Sequence, residues 1–277
     1  RDPGAMIAWR MPMCTHWSTR VAQNVACTSS GSCVMRPTIR AYPRPVRPSL
    51  TVEIWSDVVC PWCYIGKRRF EKAAAVLADE VDLQVVFRPY QLDPTASPGV
   101  ATPVSDAYAK KFGGPERAAS LMDNVTNIAA GEGLEFHLDR ALRANTLLAH
   151  RLLWLAEATG HQYALKERLL QAYFCDGANV GDPDVLAALA TEVGMPGDRV
   201  RAYLDSDDGT APVRAMLQVA AENEITAVPT FVMDGRWAIP GAQDPDTFVN
   251  VIRRLLAKQA QEATAAAEAC ADEACDV

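Results

Sequence analysis

The tetrapeptide Cys60-Pro61-Trp62-Cys63 stands where one backbone period gives way to another. Before it, Thr51-Val52-Glu53-Ile54-Trp55 is β-branched and alternating, the pattern of a strand. After it, Ile65, Phe70, Ala73, Ala74 and Leu77 keep a helical spacing. Two residues three apart on a helix lie one turn from each other, with Cα atoms about 5 Å apart, within the range a disulfide spans. The first sulfur then lies at the positive end of the helix dipole, where a thiolate is favoured. A chain built this way is expected to move disulfides or electrons.

The rest of the chain extends this frame. Strand 51–56, helix 61–77 and strand 83–88 (Leu-Gln-Val-Val-Phe-Arg) predict a β-α-β unit, whose crossover should be right-handed. The stretch from Pro89 to Pro103 holds four prolines and reads as a loop. From Val104 to about Ser206 only helical patterns occur, with candidates at 116–131, 145–159, 163–174, 183–193 and 198–204. Asp182-Pro183 and Pro196-Gly197-Asp198 are cap-and-start signals between them. Helix 212–223, strands 230–233 and 237–239 around an Asp234-Gly235 turn, and helix 244–258 complete the order.

A second constellation comes from Val228-Pro229-Thr230, just ahead of a strand. A proline inside a central strand would be out of place, whereas a cis-proline entering one is tolerated. Such a residue beside a Cys pair would hold backbone groups where an extended substrate can pair with them. Strands at both ends with helices between predict an α/β protein: a thioredoxin-like fold with an inserted all-helical domain. The expected organisation is an N-terminal extension over 1–49, disordered or non-native, and a thioredoxin-like domain from 50–103 and 212–258. A helical insertion spans 104–211, and a C-terminal tail spans 259–277.

Composition bounds the partners. The chain has 277 residues, 49% of them apolar, enough to bury a sizeable core. No stretch approaches the roughly 18 uncharged apolar residues of a membrane span. Residues 1–50 carry seven arginines and one acid (Asp2), a net of +6, which leaves −13 for the rest of a chain of net charge −7. A globular part that acidic is expected to bind neither nucleic acid nor an anionic membrane. Arg1-Asp2-Pro3-Gly4-Ala5-Met6 reads as a vector or cleavage remnant, and Cys14, Cys27 and Cys33 are expected to lack structural partners. No secretory h-region forms, so a reducing cytoplasm is the expected compartment, where a Cys pair is catalytic rather than structural.

The run Ser56-Asp57-Val58-Val59-Cys60-Pro61-Trp62-Cys63-Tyr64-Ile65-Gly66-Lys67 carries a family resemblance. So do Ile225-Thr226-Ala227-Val228-Pro229-Thr230-Phe231-Val232 and Pro240-Gly241-Ala242-Gln243. They resemble the FrnE-like branch of the DsbA family, over about residues 50–258. The resemblance implies a dithiol–disulfide oxidoreductase or isomerase, with Cys60 attacking, Cys63 resolving and Pro229 as the cis-proline. Pro61, Trp62 and Val228 would then contact substrate. Kappa-class glutathione transferases and 2-hydroxychromene-2-carboxylate isomerases share the superfamily but generally keep a Ser at the first cysteine. A transferase or isomerase of that kind, and a holdase chaperone independent of redox, are the competing expectations. Implied partners are a disulfide-containing protein or small molecule and a thiol or thioredoxin-type redox partner. No cofactor is expected beyond the redox-active disulfide, with a low-molecular-weight thiol as co-substrate. The protein would be a monomer or homodimer.

Other residues carry weaker signals. Cys270-Ala271-Asp272-Glu273-Ala274-Cys275 follows an Ala-rich, helix-forming stretch. On an intact helix, positions five apart differ by about 140° and 7.5 Å in rise, too far to bridge, so a Cys270–Cys275 disulfide requires the helix to end near Cys270. Some FrnE-like proteins are similar in having such a pair, which implies an auxiliary dithiol relaying electrons to Cys60 and Cys63; incidental exposed thiols are the alternative. Cys60 and Cys63 as half of a zinc site would need two further ligands, borrowed from the tail, and no metal is assigned. Asp57 reads as a proton acceptor for Cys63 or as a helix-start carboxylate, and its charge beside a thiolate favours the second. His150, in an apolar helix, reads as a cleft residue or, more commonly, a satisfied core histidine. Trp154 and Tyr173 read as core, and Cys175 as a small buried hydrophobe.

Overall fold

A computed structural model of the chain describes residues 22–27, 33–38 and 47–273, with side chains from 47 to 266. Two units part between Arg47 and Pro48. In the first, β1 (Ala22–Cys27) and β2 (Cys33–Thr38) pair antiparallel, from Ala22 opposite Thr38 to Cys27 opposite Cys33. No element is predicted there from sequence, since Gln23 and Asn24 break the alternation of β1 and Pro37 lies inside β2. Arg1–Met6, Cys14 and Cys275 lie outside the described residues.

The second unit opens with β3 (Ser49–Ser56), whose Leu50, Val52 and Ile54 are buried on one face. Toward its end Trp55 and Ser56 are buried too, so both faces are covered where the Cys motif begins. Helix α1 (Pro61–Val76) starts with Pro61 in its first turn, where a missing N–H costs no hydrogen bond. Strand β4 (Asp82–Pro89) then returns parallel to β3, with Ser49 opposite Asp82 and Ser56 opposite Pro89. A two-residue strand β5 (Thr102–Pro103) leads into α2 (Val104–Phe112) and α3 (Pro115–Gly131), and β5 pairs with β6 (Leu142–Arg143). Helices α4 (Leu147–Ala158), α5 (Gln162–Phe174), α6 (Pro183–Glu192), α7 (Gly197–Asp205) and α8 (Thr210–Glu222) follow. Strands β7 (Thr230–Met233) and β8 (Trp237–Pro240) complete a sheet ordered β4-β3-β7-β8, and α9 (Pro245–Glu273) closes the unit.

Helix α2 has no sequence prediction. Val104 is its only buried residue and the rest are half-covered or exposed, so its apolar stripe is thin. Helix α9 runs past Cys270, placing that residue on helical backbone.

Two apolar clusters lie in the second unit. One packs Phe70, Ala73 and Leu77 of α1 and Phe248, Ile252 and Leu255 of α9 on Val52, Ile54, Phe231 and Met233 of the sheet. The other gathers α3 to α7 and takes in Val58, Tyr64 and Ile65 from the start of α1 and the loop before it. Helix α1 therefore contributes its first turn to the helical cluster and its later turns to the sheet.

Charge ties α1 to α5. Lys67, almost fully buried, donates to Glu71 Oε1 and to Glu167 Oε2, each at 2.6 Å. Tyr64 Oη donates to Glu167 at 2.8 Å, Arg68 to Glu71 at 2.7 Å and to Glu167, and Tyr163 to Glu71. Burial alone would raise both carboxyls, but Lys67 first, then the hydroxyl and Arg68 donors, hold them below the ordinary range. Folded values below the unfolded ones mean that this clamp stabilises fully above the ordinary carboxyl value of about 4.3. That stability is lost as pH falls through the lowered folded values. Glu167→Ala should lower the unfolding free energy by about 2 kcal/mol, less than the ~3–5 kcal/mol of a fully buried pair because Glu167 is partly exposed. Denaturant titration checks this, and the acid decline of Tm should be shallower in the variant than in the wild type.

Candidate active site

The loop Asp57–Val59 carries the chain from the covered end of β3 to α1, and Cys60 is the N-cap residue with extended backbone. Its carbonyl oxygen accepts the Cys63 N–H at 3.1 Å and the Tyr64 N–H at 3.4 Å, closing the first turn over the motif. Its thiol makes no capping bond and instead donates to the Val228 carbonyl oxygen at 3.6 Å. Both cysteines are free thiols, each only 3% exposed. Trp62 between them is 40% exposed, so the indole, not the sulfurs, makes the outer surface of the motif.

Across from Cys60, the Val228–Pro229 peptide is cis. Pro229 immediately precedes β7, so its missing N–H costs no bond within that strand, and its carbonyl accepts the Gly241 N–H at 2.7 Å. Thr230 Oγ1 donates to the Ala227 carbonyl at 2.8 Å and fixes the turn before it. Two sequence segments some 170 residues apart thus meet at one sulfur.

Asp57 lies beneath, fully buried. It is not on the first turn of α1, which holds no acid, and so does not act as a helix-start carboxylate. Instead Oδ1 accepts the Val58 N–H and Oδ2 the Leu92 N–H, each at 2.8 Å, binding the motif loop to the loop after β4. His150 Nε2 lies 3.2 Å from Asp57 Oδ1 and 2.9 Å from the Tyr90 carbonyl oxygen. Both neighbours are acceptors, which assigns the proton to Nε2. His150 is a buried, hydrogen-bonded histidine one contact removed from the motif.

The two thiols differ in surroundings. Burial, above all, pushes the Cys63 thiol well up, and the adjacent Cys60 adds to it. The Lys166 charge and the backbone N–H of Asp57 pull the other way. Tyr108 of α2 also borders the site: burial pushes its phenol up to about 12, with a contribution from Cys60.

Neither Tyr108 nor Lys166 is marked out by sequence. Lys166 falls inside the predicted helix 163–174 with no feature that sets it apart from Arg168, and α2 is not among the helix candidates. Tyr173 is core, as its spacing predicts, while Trp154 lines a cleft with Phe87, Arg88, His150 and Gln162 that has room for about one water. Cys175, predicted to be buried, is only partly so: it caps the C-terminal end of α5, where the chain leaves the helix towards exposed Asp176, and packs on the edge of the helical cluster. Among the described residues no cluster of His, Cys, Asp and Glu has the makings of a metal site, and no helix is long and apolar enough to cross a membrane.

The chain has relatives in sequence and in fold. Residues 51–253 match the DSBA-like thioredoxin domain. The chain is 33% identical over 205 residues to the uncharacterized protein YwbO of Bacillus subtilis (strain 168), covering 73% of this chain and 94% of that protein. The crystal structure of the probable DsbA oxidoreductase SCO1869 from Streptomyces coelicolor aligns with a TM-score of 0.69 at 36% identity, over 74% of this chain and 89% of that one. A structure of 2-hydroxychromene-2-carboxylate isomerase aligns with a TM-score of 0.54 over 76% of this chain and 98% of that one; at 15% identity the likeness is one of fold. The fold is thioredoxin-like with a helical insertion.

Gly66 sets the distance between the two halves of the site. A Cβ built there would lie 2.9 Å from Pro229 Cγ and 3.3 Å from Ala242 Cβ. Within a helix Ala is favoured over Gly by about 1 kcal/mol, so Gly66→Ala should aid α1 in isolation. Here it must push the Pro229 turn off Cys60. The variant should exchange thiols at Cys60 several-fold more slowly than the wild type, as read by the rate of mixed-disulfide formation with a model disulfide.

Proposed function

The chain belongs to the DSBA-like thioredoxin domain family, and from that premise we propose that it exchanges disulfides with its substrates through Cys60 and Cys63 by way of a mixed disulfide. The observation that carries this is the meeting of an intact Cys pair at the start of α1 with the Val228 carbonyl, 3.6 Å from the Cys60 sulfur and beside Pro229. The name of the Streptomyces relative, a probable DsbA oxidoreductase at 36% identity, supports the same class.

In the reductive direction, the Cys60 thiolate attacks one sulfur of a substrate disulfide and the other leaves as a thiolate. Cys63 then attacks the Cys60 sulfur, the substrate is released as its second thiolate, and the Cys60–Cys63 disulfide remains. The oxidative direction runs these steps backwards. Cys60 stands at the N-cap of α1, beside the Val228 carbonyl oxygen that its thiol faces. Pro61 and the exposed Trp62 face an incoming chain, and the backbone at Val228 and Pro229 offers it an edge. Substrates are disulfide-containing proteins or small molecules, re-set by a thiol or thioredoxin-type partner, with no cofactor beyond the disulfide itself. In the tail, Cys270 and Cys275 are the auxiliary pair that passes electrons to this site, and because α9 continues to Glu273 its last turn has to unwind before the two can close a disulfide.

Insulin-disulfide reduction with dithiothreitol tests the reading. Cys60→Ser should fall to background, and Cys63→Ser should accumulate a mixed disulfide visible by intact mass. The double variant Cys270→Ser/Cys275→Ser should retain turnover at a reduced rate. Activity of the Cys63→Ser variant equal to the wild type would sink the dithiol mechanism in favour of a transferase or isomerase. Wild-type protein no faster than background would sink the redox reading altogether.

A further inference from the structure

Three side chains bond to the backbone of the segment 226–228 among the described residues. The Cys60 thiol donates to the Val228 carbonyl at 3.6 Å, the Thr230 hydroxyl to the Ala227 carbonyl at 2.8 Å and the Tyr90 phenol to the Thr226 carbonyl at 3.2 Å. They are not equivalent. The Thr230 bond is local and closes the turn on itself. The Cys60 bond exists only while that sulfur carries a proton: a thiolate or a disulfide sulfur has nothing to donate, and a thiolate repels the carbonyl oxygen it faces. Tyr90 is therefore the side chain that still holds this segment from outside while the site reacts. Pro229, the next residue, is held from the sheet side by the Gly241 N–H.

The other end of this tie is the support of the Cys motif itself. Tyr90 follows β4 directly, and its carbonyl oxygen lies 2.9 Å from His150 Nε2 of α4. Two residues on, the Leu92 N–H donates to Asp57 Oδ2 at 2.8 Å, and Asp57 Oδ1 accepts the Val58 N–H of the motif loop. Further along, Asp93 accepts from Arg143 Nε and the Ala96 carbonyl from Asn145 Nδ2, each at 2.7 Å. The loop after β4 lies outside regular structure, yet it is fastened to α4, to the chain leading into α4 and to the motif loop. Tyr90 is half-buried, with its hydroxyl bond at the surface. Water could serve both groups there, so the bond adds little stability; what it fixes is the placing of one segment against the other.

Resting on the dithiol reading above, we infer that Tyr90 is a positioning residue for exchange with polypeptide substrates. Its hydroxyl keeps 226–228 aligned with the motif once the Cys60 thiol has lost its proton, so the backbone at Val228 stays where an extended chain pairs with it. A small disulfide that brings no peptide backbone makes no use of that edge. The tie thus acts on how a polypeptide docks, and not on the reactivity of the Cys60 sulfur.

A matched pair of oxidants tests this. One is an unstructured peptide whose single cysteine is disulfide-bonded to mercaptoethanol; the other is hydroxyethyl disulfide, which lacks the chain. Each is mixed with reduced protein over a range of concentrations, and oxidation is read by intact mass after acid quenching. In Tyr90→Phe the peptide concentration giving half the maximal rate should rise about three- to tenfold, the range one hydrogen bond commands. The saturating rate, the rate with hydroxyethyl disulfide and the Tm should stay those of the wild type. An unchanged half-saturation, or an equal loss with both oxidants, overturns the proposal and leaves the dithiol reading standing. A wild type that reacts with neither oxidant overturns both. Tyr90→Leu separates ring from hydroxyl: if it alone is impaired while Tyr90→Phe matches the wild type, packing of the ring is what matters and the proposal falls.

Discussion

Helix α1 packs on two cores at once, and the site exists because it does. Phe70, Ala73 and Leu77 hold its later turns to the sheet, while Tyr64 and Ile65 hold its first turn to the helical cluster. A helix anchored on the sheet alone would leave the turn that carries Cys60 and Cys63 standing in water. With the insertion packed against it, that turn is covered, and both sulfurs are recessed beneath Trp62. The insertion is therefore part of the thiol environment, supplying Tyr108 and Lys166 to it.

The same packing confines charge. The α1–α5 contact buries Lys67 among Glu71, Glu167 and the hydroxyls of Tyr64 and Tyr163, where each donor meets an acceptor. Breaking any one of these leaves a desolvated ion, so the network specifies how α5 lies on α1 more than it adds net stability. Correct seating of α5 in turn fixes where Lys166 points.

Much of this was legible in the sequence. The runs that became β3, α1, β4, β7 and β8 declare themselves within a residue or two, because their side-chain periods are set by a sheet with one face on α1 and α9. Cys60, Cys63 and Pro229 come together as their order along the chain implies. What escaped notice was non-local. Lys166 is indistinguishable in sequence from Arg168, yet the first is sealed in the core and the second pairs at the surface with Asp176 and Glu192. The bond from Leu92 to Asp57 depends on where a proline-rich loop returns, and no local pattern encodes that return.

Asp57 serves the site from beneath, and its side chain bonds to neither sulfur among the described residues. Its oxygens accept from the Val58 and Leu92 N–H groups and from His150, so the motif loop, the loop after β4 and helix α4 all end on one side chain. Removing that side chain would leave three donors unpaired in the core at once, and each buried unpaired donor costs about 1–3 kcal/mol. The position of Cys60 against Val228 therefore depends on a residue that takes no part in the exchange, because the loop that delivers the thiol is held from below rather than at the sulfur.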